Sequence, residues 1–224
     1  MVMKLGPWVV MLMSIAPVAA TTPFPDVHLL YRGVQDVAPL TAIDQSGGAI
    51  KITGLSGIAY AGGSTFWAVM DNSDKLVRFD VTFRDDCSIR KIKVAGGITL
   101  SERRDYEGIA IARQEAVYLS EETTPALWRV DLATGRLIRE VVTPGAYRHV
   151  QRNQGLESLS ASPDGKWLWT ANERALLLDG NLKAPLEPFG ATTRVRLQRF
   201  NLAGEIPRAA GQFVYRTSGV HQFA

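Results

Sequence analysis

Asp105-Tyr106-Glu107-Gly108-Ile109-Ala110-Ile111, followed by Ala116-Val117-Tyr118-Leu119-Ser120-Glu121-Glu122, is the middle one of three stretches that say nearly the same thing. The stretch before it reads Gly54-Leu55-Ser56-Gly57-Ile58-Ala59-Tyr60, then Phe66-Trp67-Ala68-Val69-Met70-Asp71-Asn72. The stretch after it reads Gly155-Leu156-Glu157-Ser158-Leu159-Ser160, then Trp167-Leu168-Trp169-Thr170-Ala171-Asn172-Glu173. Ser56, Glu107 and Glu157 align at steps of 51 and 50 residues. Asp71, Glu121 and Glu173 align as well, 15, 14 and 16 residues further on. Short strands repeated every roughly 40–50 residues are the signature of β-propeller blades.

Each unit divides into four strands. Runs rich in Val, Ile, Tyr, Trp and Thr are bounded by Gly, Pro, Asp and Asn, which is a strand-and-turn pattern. The first unit predicts strands at 56–61, 66–70, 76–81 and 89–94. The second predicts 107–112, 116–120, 126–132 and 137–142. The third predicts 157–161, 167–171, 196–202 and 212–215, with a hairpin turn at Ser162-Pro163-Asp164-Gly165. An insertion at 174–193 is either a loop over the channel or a packing flap. Residues 27–34 read as one more strand from a neighbouring or closing blade, and 50–52 lead into the first unit. The expected fold is all-β and β-propeller-like, with three to four four-stranded blades, partial or truncated. A four-bladed closure that recruits 27–34 is the alternative, since propellers close with roughly four to eight blades.

The chain opens with a short basic start ending at Lys4. An apolar run from Trp8 to Ala16 follows, and then Val18-Ala19-Ala20 before Thr21. That is the pattern of a cleaved secretory signal over 1–20, leaving a single domain at 21–224. The apolar run is too short to span a bilayer, which needs about 20 residues, so no stable membrane insertion is expected after cleavage. The expected location is the periplasm or the medium of a bacterium. One cysteine, Cys87, leaves no disulfide to form within the chain. The 25 basic residues nearly balance 22 acidic ones and form no run. That argues against nucleic acid as a partner, because a dedicated binder concentrates a basic excess.

The aligned acids carry the functional reading. In an antiparallel pair the start of one strand lies beside the end of the next. Glu107 with Glu121, and Glu157 with Glu173, should therefore share a rim, with Asp71 and Asp105 beside them. Crowded carboxylates raise one another's pKa unless a cation compensates. A hard cation such as Ca²⁺ takes six to eight oxygen ligands and suits such a ring. Asp71, Asp105, Glu107, Glu121, Glu157 and Glu173 are thus the candidate ligands for Ca²⁺ or another divalent cation. Arg104, Arg152 and Asn153 flank them and would hold a phosphate. The matching chemistry is attack on phosphorus by water, with Glu107 or Glu157 as general base. Structure offers a competing role, because acids at strand ends also accept hydrogen bonds from a neighbouring blade. A serine nucleophile is disfavoured: Gly54-Leu55-Ser56-Gly57-Ile58 lacks the glycine pattern of a nucleophile elbow.

Taken together, the motifs resemble the phytase-like domain family, also described as "esterase-like activity of phytase". The resemblance rests on Gly54–Tyr60 with Phe66–Asn72, on Asp105–Ala110 with Leu119–Glu122, and on Arg152–Leu159 with Ser162–Gly165 and Ala171–Arg174. It covers 27–215, with Ser158 standing where a glycine usually follows the glutamate. It implies an exported, acid-rich propeller with phosphoesterase or phytase-like activity on a small phosphorylated or ester substrate. A non-catalytic periplasmic propeller binding a ligand or protein, and a calcium-dependent lactonase or carboxylesterase, are the alternative readings.

Overall fold

The structure, a computed structural model, describes residues 28, 30–37, 40–112, 116–179 and 192–219. The signal read at 1–20, and 180–191 of the insertion, lie outside the described residues. The chain divides into two units, Met1–Tyr31 and Arg32–Ala224, and the architecture below is that of the second. Among the described residues no helix is long and apolar enough to cross a membrane.

Among the described residues three four-stranded antiparallel sheets follow one another in the chain, each a simple meander. Blade 1 is β3 (Leu55–Gly62), β4 (Thr65–Met70), β5 (Ser73–Phe83) and β6 (Ile89–Arg104). Blade 2 is β7 (Tyr106–Ile111), β8 (Val117–Glu121), β9 (Ala126–Val130) and β10 (Leu137–Val141). Blade 3 is β11 (Leu156–Ala161), β12 (Trp167–Asn172), β13 (Thr192–Asn201) and β14 (Arg208–Gly219). A hairpin of β1 (Thr41–Ile43) and β2 (Ala49–Lys51) precedes them. The first strands of the blades lie together, with β7 packed against both β3 and β11. The fold is therefore all-β and β-propeller-like, as the repeat predicts.

The period-2 alternation of a strand gives each blade two apolar faces. On β4, Trp67 and Val69 join a core with Ile109, Val117 and Leu119 of blade 2. Their neighbours Ala68 and Met70 face the other way, onto Ala42, Ile50 and Ile52 of the hairpin segment. Blade 2 repeats the device: Ala110 and Tyr118 turn toward Leu156, Leu159 and Leu168 of blade 3. Each seam between elements is thus a core of its own.

The structure differs from the sequence reading before blade 1 and along β6, and at the start of the insertion it fits the packing alternative. Of the strand read at 27–34, residues 27 and 29 lie outside the described residues and the others belong to no strand; Val34 is exposed, and the segment packed on the flank of blade 1 is β1–β2. Strand β6 does not stop at Val94 but runs through Gly96-Gly97 to Arg104. Gly97 lies so close to Ile50 and the Leu76 carbonyl that a Cβ there would sit 2.6 and 2.9 Å from them. At the start of the insertion, Ala175 and Leu176 are buried, and Leu176 joins the core between blades 2 and 3. That stretch packs rather than loops.

Candidate functional site

Each first strand carries a β-bulge at the same repeat position. In β3 the register passes from Leu55↔Met70 to Gly57↔Val69, skipping Ser56. In β7 it passes from Tyr106↔Glu121 to Gly108↔Ser120, skipping Glu107. In β11 it passes from Leu156↔Asn172 to Ser158↔Ala171, skipping Glu157. A bulge leaves its extra residue unpaired and re-aims the side chain. Glycine follows the bulge in two blades because the next strand comes close. A Cβ at Gly57 would lie 2.7 Å from the Glu107 carbonyl, and one at Gly108 would lie 2.6 Å from the Leu159 amide.

A second repeated feature closes the rim. The amides of Asp71, Glu122 and Glu173 donate to the carbonyls of Gly54, Asp105 and Gly155, at 2.7, 2.9 and 2.9 Å. The structural equivalents are therefore Asp71, Glu122 and Glu173. Glu121 instead pairs with Tyr106, in the register position of Met70 and Asn172, and points into the protein. Its carboxylate is 2.9 Å from Arg104 and accepts a 2.8 Å bond from Trp128 Nε1. Arg104 also binds Glu102 at 2.6 Å and stacks over Trp128 at 4.2 Å. Both expectations are corrected by the same geometry. Glu121 is an internal partner of Arg104 rather than a rim ligand, and the Arg104 guanidinium is already held by two carboxylates.

The rim brings six acids together. Asp71, Asp105 and Glu107 offer oxygens within 4.8 Å of one another, and so do Glu122, Glu157 and Glu173. Five of these six belong to the predicted set; Glu122 is the one that sequence reasoning missed. Asp71 Oδ1 accepts from Asn72, and Asp105 Oδ2 accepts a 2.7 Å bond from Thr123. Asp105 is only 8 % exposed, and its Oδ1 is buried with no partner. Among the described residues none of the six is in a salt bridge. Burial raises the pKa of Glu107 to about 8, helped by a shared hydrogen bond and charge from Asp71 and by Glu157 and Glu122. Burial also lifts Glu122 to about 7, with Asp105, Glu157 and Glu173 adding to the effect. Glu157 moves upward for the same reasons, burial first and then Glu173, Asp71 and Asp105. Such a set either holds protons or holds a cation.

Ser56 takes the bulge position in blade 1 without an acid, and its hydroxyl donates to the Tyr106 carbonyl of blade 2 at 3.0 Å. Arg152 and Asn153 are exposed on the turn that leads to Gly155, where Gln154 N bonds the Gln151 carbonyl. At the opposite ends of β3, β7 and β11 a cavity of about 620 Å³ is lined by Ile58, Tyr60, Ile111 and Leu159, with no charged side chain.

The family model described as "Phytase-like: Esterase-like activity of phytase" matches residues 50–224. The chain belongs to that family. No curated protein matches it. Among solved structures, glutaminyl cyclase of Myxococcus xanthus is similar at 13 % identity and a TM-score of 0.41, over 56 % of this chain and 53 % of that one. The periplasmic gluconolactonase of Pseudomonas aeruginosa is similar at 12 % and 0.37, over 77 % and 62 %. Virginiamycin B lyase of Staphylococcus aureus is similar at 12 % and 0.36, over 80 % and 62 %. The chain thus spans between 53 % and 62 % of the length of these three structures.

Proposed function

We propose, with membership of the phytase-like family as the premise, that this chain is an exported hydrolase of phosphate esters whose acidic rim holds a divalent cation. The observation that carries the reading is the buried Asp105 Oδ1, which has no partner inside a convergence of six carboxylates. An all-oxygen donor set fits a hard cation, with Ca²⁺ the first candidate. Asp71, Asp105, Glu107, Glu122, Glu157 and Glu173 would hold it. When bound, the cation would neutralise charge on the phosphoryl oxygens and lower the pKa of water at the rim.

The chain's own residues supply the rest. Glu107 and Glu157 are the extra residues of their bulges, and once ionised either carboxylate can take a proton from an attacking water. Arg152 and Asn153 would orient the outer oxygens of the ester from the turn before Gly155. The export signal at 1–20 would place the mature 21–224 domain in the periplasm or the medium.

The test is turnover of aryl phosphate mono- and diesters by the purified chain, with Ca²⁺ and after chelation. The expected result is hydrolysis that chelation abolishes and that Glu107→Gln lowers by about 10²-fold or more. Hydrolysis of lactones or carboxylic esters alone would replace this reading with a lactonase or carboxylesterase. Absence of all three activities would leave a non-catalytic binding propeller.

A further inference from the structure

The blades share a second device that uses none of the rim acids. An aromatic residue of the second strand pairs with an arginine of the third: Trp67↔Arg78, Tyr118↔Arg129 and Trp169↔Arg199. The fourth strand bulges beside that arginine, skipping Ala95, Ile138 and Ala210 in turn. In blades 1 and 3 the skipped residue's carbonyl accepts from the arginine: Arg78 Nη2 donates to Ala95 at 3.0 Å, and Arg199 Nη2 to Ala210 at 3.3 Å. In the same two blades the residue opposite the arginine is glycine, Gly96 or Gly211, which puts no side chain over the guanidinium. We propose that in blade 1 this device is a binding site for a small, neutral, planar aromatic ring, which stacks on the Arg78 guanidinium.

Blade 3 shows the filled form. The Arg199 guanidinium carbon lies 4.1 Å from the centre of the Trp167 ring, 5.6 Å from that of Trp169 and 5.5 Å from that of Phe213. Its Nε is buried there with no acceptor, so rings rather than hydrogen bonds surround it. Trp167 stands two residues before Trp169, on the same face of its strand. The residue at that place in blade 1 is Thr65, two before Trp67. Ile98, opposite Leu76, takes the place of Phe213, opposite Leu197. Among the described residues the Arg78 guanidinium meets no ring and no carboxylate. A cavity of about 610 Å³ lies there instead, lined by Thr65, Trp67, Arg78, Gly96, Ile98 and Ile111.

That volume lies within the ordinary range of small-ligand pockets, roughly 300–1,000 Å³. Its walls select the ligand. A guanidinium among apolar side chains attracts the face of an aromatic ring, which is the part Trp167 plays for Arg199. Asp44 also lines the cavity, with both oxygens engaged: Oδ1 accepts from Ser46 and Gly48, and Oδ2 from Thr99. Its charge disfavours an anion beside it, which is why the ring is neutral. Blade 2 is not equivalent. Ala116 stands at the Trp167 place, but the residue opposite Arg129 is Arg139 rather than glycine, and Lys166 lines the same cavity. The site makes no use of the rim and stands whatever the rim binds.

The experiment is an NMR titration of the ¹⁵N-labelled full chain with indole, benzyl alcohol and cyclohexylmethanol, following the Arg78 Nε–H and Trp67 Nε1–H signals. The two alcohols share an outline, and only one has a π face. The expected result is a saturable shift of both signals with indole, and affinity for benzyl alcohol about fivefold or more above that for cyclohexylmethanol. Thr65→Trp puts the chain's own indole in the cavity and should abolish the response. Arg78→Gln, at an exposed position, should weaken indole binding about fivefold or more as read at Trp67; it decides the matter alone if Thr65→Trp does not fold. Equal affinity for the two alcohols would mean an apolar hole without stacking and overturn the proposal. So would the absence of a saturable shift, or binding that survives Arg78→Gln unchanged.

Discussion

Glu121 and Glu122 are neighbours with opposite surroundings. One meets a guanidinium and an indole N–H inside the protein; the other meets three carboxylates. Their substitutions should therefore separate. Glu121→Ala strips Arg104 and Trp128 of a shared partner. It should cost about 1–3 kcal/mol in urea denaturation, the range for leaving buried polar groups unpaired. Arg104 keeps Glu102, which holds the loss to that range. Ca²⁺ uptake at the rim should persist. Glu122→Gln removes one charge from a crowded set, so it should leave stability unchanged or raise it while weakening Ca²⁺ uptake. Equal losses of uptake in both variants would contradict this assignment. The choice between the two residues was not legible in the sequence. A bulge inserts one residue and shifts the alternation by one, so spacing counted along the chain does not fix which neighbour lies opposite, and 14 to 16 residues fits either. The sequence held one usable sign. Glu122 lies 15 residues after Glu107, the same interval as Ser56 to Asp71.

At the scale of elements, the four-strand meanders were readable because their alternation is strong and their turns are marked. The hairpin of β1 and β2 was only half visible, as the lead-in at 50–52. Its strands have three residues each, and only Ala42 and Ile50 in them are buried. Too few positions alternate to establish a period. The hairpin still covers a whole face of blade 1, so Ile50→Ala should cost about 2–5 kcal/mol, the usual range for truncating a buried aliphatic side chain. Chemical denaturation would measure it; a loss below about 0.5 kcal/mol, within the range of ordinary surface substitutions, would mean that the hairpin contributes little to the fold. Gly96 and Gly97 read as a strand end for a related reason. Glycine looks like a break in a single sequence, whereas here it lets a long strand pass close to a neighbour.

Across the whole molecule, the rim acids come from all three blades, so their charge acts on every seam at once. Without a cation, Glu107 titrates near pH 8 and Glu122 near 7, against an ordinary value of 4.5. Between 4.5 and those values the folded chain keeps protons that the unfolded chain has released. Stability is therefore fullest below about pH 4.5 as far as these two groups are concerned. It should decline as pH rises through 7 to 8, then level off. Thermal midpoints in chelator from pH 5 to 9 would show the decline. Saturating Ca²⁺ should flatten or reverse it, because the ionised carboxylates are the ones that bind metal. A midpoint that rises with pH in chelator would contradict the raised values.

The bulge at Ser56 has a consequence for how such a protein changes over generations. The backbone already turns a side chain toward the mouth at that position, although the residue there is a hydroxyl that reaches across to blade 2. The seat belongs to the scaffold and its occupant to a single codon. Ancestors and descendants can gain or lose a carboxylate there without disturbing the apolar cores, which lie on other residues. If the proposed cation is bound at the rim, a change at this one position can alter its affinity while the architecture stays the same. Close kinship of fold in this family is thus compatible with wide divergence in what the mouth holds.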